Sequence, residues 1–147
     1  MLFRSRNAKS PKERHDTAYF AWEAGVRLAV AARPPADPSP LARGSAGQWV
    51  GAAAFDDRPR NAAALLAAHA LWSEVGLERK SGATSVTARR LLDALPAYRN
   101  RVIGHGAVRT SEFYDTAAGV LLEALAAAWS SEVFLPTAAR LVFVEAI

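Results

Sequence analysis

The amino-acid sequence predicts an all-α fold, and three observations carry that prediction. Apolar residues recur at three- and four-residue steps in two long segments. Good N-cap residues stand at the head of both. Strand-like composition is confined to the last few residues. The first long segment reads as a helix from Pro11 to Ala32. Ser10 is its N-cap, Pro11 suits the first helical position, and Tyr19, Trp22, Val26 and Val30 form one apolar stripe. Pro34 and Pro35 stop it. Residues 33–47, with four prolines and two glycines, read as a loop joining two antiparallel helices.

A short helix over Gln48 to Phe55 is expected next. A third follows from near Pro59, behind Asp57, to about Val75, with Gly76 as its C-terminal stop. Its core face carries Leu65, Ala68, His69 and Trp72, which makes His69 a core histidine with a local hydrogen bond. His15, in a charged first turn, reads as a surface residue. Residues 80–84 are a turn, and a helix over Ser85 to Leu95 turns Leu91, Leu92 and Leu95 inward. Pro96 either kinks that helix or begins a new one reaching about Ile103. The last helix, Ser111 to Ser130, is capped by Thr110 or Ser111. Its stripe is Phe113, Ala117, Val120, Leu121, Leu125 and Trp129.

Residues 141–147, LVFVEAI, have strand composition after the break at Pro136. The expected organisation is therefore a helical domain over 1–135. Residues 136–147 begin a following domain or a C-terminal extension, so the chain reads as the N-terminal part of a longer protein.

Composition excludes several classes. The 147 residues are 51% hydrophobic with a mean hydropathy of +0.02, which suits a globular domain. No apolar run has the roughly 18 residues of a membrane span, and the basic start lacks the apolar core of a signal peptide. There is no cysteine, hence no disulfide and no thiolate metal ligand, in keeping with a reducing, cytoplasmic location. No glycine-rich phosphate loop, nucleophile elbow or metal-spaced histidine pair is present, so neither cofactor nor metal is expected. The net charge is +4, and residues 79–109 hold seven basic residues (Arg79, Lys80, Arg89, Arg90, Arg99, Arg101 and Arg109) against one acid, Asp93. A second basic cluster, Arg4, Arg6, Lys9, Lys12 and Arg14, opens the chain. Such clusters are either a solvated surface or a polyanion-binding face.

The concentrated chemistry lies in Tyr98-Arg99-Asn100-Arg101-Val102-Ile103-Gly104-His105-Gly106. On a helix, His105 falls about two turns beyond Arg99, slightly past the same face. Imidazole moves protons near neutral pH, and guanidinium can hold a phosphate through two donors. That pairing suits a phosphodiester better than an acyl or glycosyl substrate. Read structurally instead, Arg99-Asn100 is a helix-end charge and cap, and Gly-His-Gly is a turn.

The run YRNRVIGHG followed by the helix SEFYDTAAGVLLEAL resembles the signature of the HEPN superfamily. Its members are bundles of four to five helices with an Arg, a polar residue and a His four to six residues after the Arg. Many are metal-independent endoribonucleases of toxin, antiviral-defence or CRISPR-linked systems. The resemblance implies catalytic roles for Arg99, Asn100 and His105. Arg99 would hold the scissile phosphate, Asn100 would orient the site, and His105 would act on the ribose 2′-hydroxyl or the leaving oxygen. It also implies RNA as substrate and a homodimer that sets two motifs face to face. Arg89, Arg90, Arg101 and Arg109 are the candidate nucleic-acid-binding residues. The alternative readings are a non-catalytic dimerisation or docking module of a larger signalling protein, and a simple nucleic-acid-binding module.

Overall fold

The computed structural model describes residues 7–33, 45–74, 83–104 and 108–136. Among them the chain is mostly helical, without a strand or a sheet. The elements are α1 (Pro11–Ala32), α2 (Ala46–Ala52), α3 (Ala63–Glu74), α4 (Ala88–Asp93), α5 (Leu95–Arg99), a π-helical turn (Asn100–Gly104) and α6 (Ser111–Ser130). The expected turn at residues 80–84 lies mostly outside the described residues, as do the bulk of the 33–47 loop and all of the strand-like segment at 141–147.

The two long helices begin where their caps place them. Ser10 Oγ accepts the Glu13 amide of α1, and Thr110 Oγ1 accepts the Phe113 amide of α6. They lie side by side and run parallel, as three contacts spaced along their lengths show. Arg14 pairs with Asp115 at 2.8 Å near their starts, and Trp22 Nε1 donates to the Leu121 carbonyl at 2.9 Å midway. At the far end, Arg33 donates to the Phe134 carbonyl at 2.6 Å. The core between them is aromatic. Trp22 packs edge-on to Trp72 of α3, with ring centroids 4.6 Å apart, and against Phe134 at 5.2 Å. Trp72 Nε1, by contrast, is buried with no acceptor among the described residues.

Several boundaries differ from the local pattern, for tertiary reasons. α3 begins at Ala63 rather than near Pro59 because Arg60 is held extended. Its amide and carbonyl bond Val86 at 2.9 and 2.8 Å. The same bridge keeps Val86 out of α4, which therefore starts behind Thr87 rather than at Ser85. Pro96 produces a break at Ala94 followed by a new helix, as a ring that lacks an N–H and crowds the preceding turn should. α2 covers Ala46–Ala52, not Gln48 to Phe55. On α6 Ala117, Leu121 and Leu125 of the expected stripe are buried, and the stripe differs at its edges. Tyr114 is buried, whereas Trp129, expected inward, is 41% exposed.

Arg60 is 5% exposed and ties the bundle together. It donates to both Asp56 oxygens at 3.0 Å and to the Ser131 carbonyl at 2.8 Å. That pairing holds the Asp56 carboxyl below its ordinary range, despite an opposing effect of burial. Arg33 and Arg60 thus satisfy carbonyls just past the end of α6, where Glu132 takes a positive φ of 57°.

Gly25 marks the tightest approach. A Cβ there would stand 2.7 Å from Cε1 and Cζ of Phe134, a ring itself fully buried beside Trp22 and Trp129. Gly25→Ala gains about 1 kcal/mol of helix propensity but overpacks a confined ring at about 1–3 kcal/mol. Urea melts are expected to show a net loss of stability, relieved when Phe134→Leu is added. A stabilised single variant would mean that the ring moves aside freely.

Candidate functional site

Tyr98 anchors the segment that carries Arg99. Its ring is fully buried, and its hydroxyl lies 2.7 Å from Nε2 of His15. The expectation that His15 is a surface residue is therefore corrected: it is completely buried on the inner face of α1. It stands four residues before Tyr19, so it continues the apolar stripe one turn toward the helix start.

The protons in this network follow from the partners. Asp16 Oδ1 lies 2.9 Å from His15 Nδ1, and a carboxylate only accepts, so Nδ1 carries a proton. Burial pushes the His15 imidazole below its ordinary value of 6.5, with the hydrogen bond and charge of Asp16 acting the other way. The ring is then neutral at pH 7, and Nε2 accepts the hydroxyl proton of Tyr98. Burial correspondingly raises the Tyr98 hydroxyl. Further neighbours among the described residues are Tyr114, whose ring centroid is 5.2 Å away, and Lys12, which pairs with Asp16 and whose charge also opposes protonation.

A histidine held below its unfolded value binds protons more weakly when folded. Its contribution to stability is intact above about pH 6.5 and is lost as pH falls below that value. Thermal melts between pH 5 and 8 are expected to show this decline, and His15→Gln should flatten it. An unchanged slope in the variant would assign the decline to other groups.

Past Tyr98 the chain turns outward. The Arg99 side chain is 50% exposed, and its Nε lies 3.4 Å from Glu23 Oε1. The same oxygen accepts the Tyr19 hydroxyl at 3.0 Å. Glu23 thus pairs with Arg99 at Nε, and the two terminal nitrogens make no bond to any described residue. Asn100 is exposed and opens the π-helical turn. Its Oδ1 lies 3.9 Å from where a Cβ on Gly104 would stand. His105 itself is outside the described residues. Single extra-wide helical turns of this kind are frequent at functional sites.

The other candidate cations are differently disposed. Arg101 directs its guanidinium to the carbonyls of Trp72 and Ser73, the latter at 3.4 Å, and so caps the end of α3. Arg89 donates to the Ala53 carbonyl at 2.7 Å and the Val50 carbonyl at 3.5 Å, which caps α2. Arg109 is half-buried over Phe113, 5.8 Å from the ring centroid, and Arg90 is exposed. Arg79 and Lys80 lie outside the described residues. The structure thus sets Arg99 and Asn100 side by side in the open, while Arg89 and Arg101 are occupied by helix ends.

Among the described residues no group of three or more His, Cys, Asp or Glu could hold a metal ion. No helix there is long and apolar enough to cross a membrane. His69 is buried on α3, with Nε2 3.5 Å from Ser73 Oγ, as a core histidine with a local contact should be. No family model matches the chain, and no curated protein or solved structure matches it significantly.

Proposed function

We propose that the chain is a metal-independent endoribonuclease domain acting through Arg99, Asn100 and His105. The observation that carries this reading is the presentation of Arg99: paired at Nε with a carboxylate, half exposed, with both terminal nitrogens bonded to no protein partner among the described residues. A guanidinium so oriented can clasp two phosphate oxygens. Asn100 follows it directly, and His105 comes one residue after the π-helical turn.

In the proposed reaction His105 takes the proton of the ribose 2′-hydroxyl. The 2′-oxygen attacks phosphorus, the bond to the 5′-oxygen breaks, and Arg99 balances the charge that builds on the phosphoryl oxygens. The products are a 2′,3′-cyclic phosphate and a 5′-hydroxyl. The departing 5′-oxygen needs a proton from a second acid, which His105 of a second copy supplies across a two-fold axis. Cleavage of RNA to those two ends, with none at a position carrying a 2′-deoxyribose, is the expected result. Products with 5′-phosphate ends would exclude 2′-oxygen attack. A monodisperse monomer that still cut RNA would remove the dimer from the account.

A further inference from the structure

The edge of α1 that holds Arg99 carries a second feature one turn further on. There Arg27, exposed, lays its guanidinium over the indole of Trp49 on α2, 5.0 Å from the ring centroid. Together with Val30 and Ala31 these two residues line an open recess of about 290 Å³. Among the described residues its walls are apolar except for one cation. Arg27 stands four residues after Glu23, a rise of about 6 Å along the helix. α2 is also packed against the Arg99 helix: a Cβ on Gly47 would lie 3.6 Å from Pro96 Cγ. On the other side of Glu23, Phe20 is 45% exposed on the same helix. The order along this edge is thus aromatic ring, phosphate-competent arginine, then arginine stacked on indole.

We propose that the Arg27–Trp49 recess is a base-stacking subsite for single-stranded RNA, filled by a nucleobase whose neighbouring phosphate reaches Arg99. It rests on the ribonuclease reading and extends it to the form of the substrate. The chemistry is that of sequence-tolerant strand binding: every base has a face to lay on an indole or guanidinium plane, and the phosphate beside it meets a cation. Bases in a duplex are already stacked and paired, so the recess selects unpaired strands.

The test uses a short, end-labelled 2′-O-methyl oligoadenylate, which cannot be cut by 2′-oxygen attack, beside a duplex of the same length. Trp49→Leu keeps an apolar side chain against the core and removes the ring; Trp49→Phe keeps a ring. Fluorescence anisotropy is expected to show Trp49→Leu binding the single strand roughly tenfold more weakly, the scale of one lost stacking contact. Trp49→Phe should retain most of the affinity, Arg27→Gln should lose part of it, and duplex binding should be unaltered by either Trp49 change. Equal single-strand affinity in wild type and Trp49→Leu, or equal losses for strand and duplex, would overturn the subsite. If Trp49→Leu fails to fold, the wild-type indole N–H resonance of Trp49 decides. It must shift on titration with adenosine 5′-monophosphate, and an unmoved resonance overturns the proposal. Because the probe resists cleavage, the two readings fail separately. A protein that cuts RNA but ignores Trp49→Leu keeps the nuclease and loses the subsite. One that discriminates strands through Trp49 without cutting keeps the subsite and loses the nuclease.

Discussion

Trp22→Ala is expected to bring the folded state close to the unfolding threshold. The indole is fully buried, stacks edge-on against Trp72 at 4.6 Å and meets Phe134 at 5.2 Å. Truncating a buried aromatic to alanine costs about 3–5 kcal/mol, since transfer energy is lost and a cavity stays behind. The hydrogen bond from Nε1 to the Leu121 carbonyl contributes about 1 kcal/mol more. Domains of this size are stable by about 5–15 kcal/mol in total, so the loss removes much of the margin. Trp22→Phe keeps most of the packing and should lose far less. Urea melts of the two variants, read by circular dichroism, give the comparison. An alanine variant within about 1 kcal/mol of wild type would mean that the seam between α1, α3 and α6 can collapse on itself.

A contrast between neighbouring arginines has the largest expected effect on activity. Arg99 and Arg101 stand two residues apart in a basic run, yet their guanidinium groups are put to different uses. Arg101 spends its guanidinium on the carbonyls at the end of α3, so Arg101→Ala leaves those acceptors unserved and should lower stability by about 1–3 kcal/mol. Among the described residues Arg99 makes one ionic contact, to Glu23 at 3.4 Å, from a half-exposed position. An exposed pair of this kind contributes little to stability, so Arg99→Ala should melt within about 1 kcal/mol of wild type. Its cleavage rate should nevertheless fall by about 10²–10³, the scale for removing one donor to the charge of a transition state. The reverse pattern, stability lost through Arg99 and activity through Arg101, would mean that the substrate is held elsewhere.

How far the sequence foretold this fold depends on where each determinant resides. The starts of α1 and α6 are legible because a cap acts within three residues: Ser10 on Glu13, Thr110 on Phe113. The starts of α3 and α4 are not, because Arg60 and Val86 meet across the chain and hold each other extended. On α6 Trp129, expected inward, is exposed and Tyr114 is buried, a shift that periodicity alone does not resolve. His15 was concealed by the charges around it, although its spacing to Tyr19 and Trp22 carried the signal that it faces inward. At the site, Arg99 and Asn100 stand out as a pair directly in the sequence. The division of labour among the arginines does not, since a guanidinium's partner can be a carbonyl 29 residues away, as with Arg101 and Trp72. The pairing of Arg27 with Trp49 is likewise a meeting of two helices.

The most direct measurement is incubation of end-labelled RNA with purified protein in EDTA, wild type beside Arg99→Ala and His105→Ala. The wild type is expected to cut without metal, and both variants, folded as judged by their melts, to cut at least about a hundredfold more slowly. A well-folded wild type that leaves several RNA pools intact, or cleavage that survives both substitutions, would contradict it; the first outcome would favour a helical docking module instead.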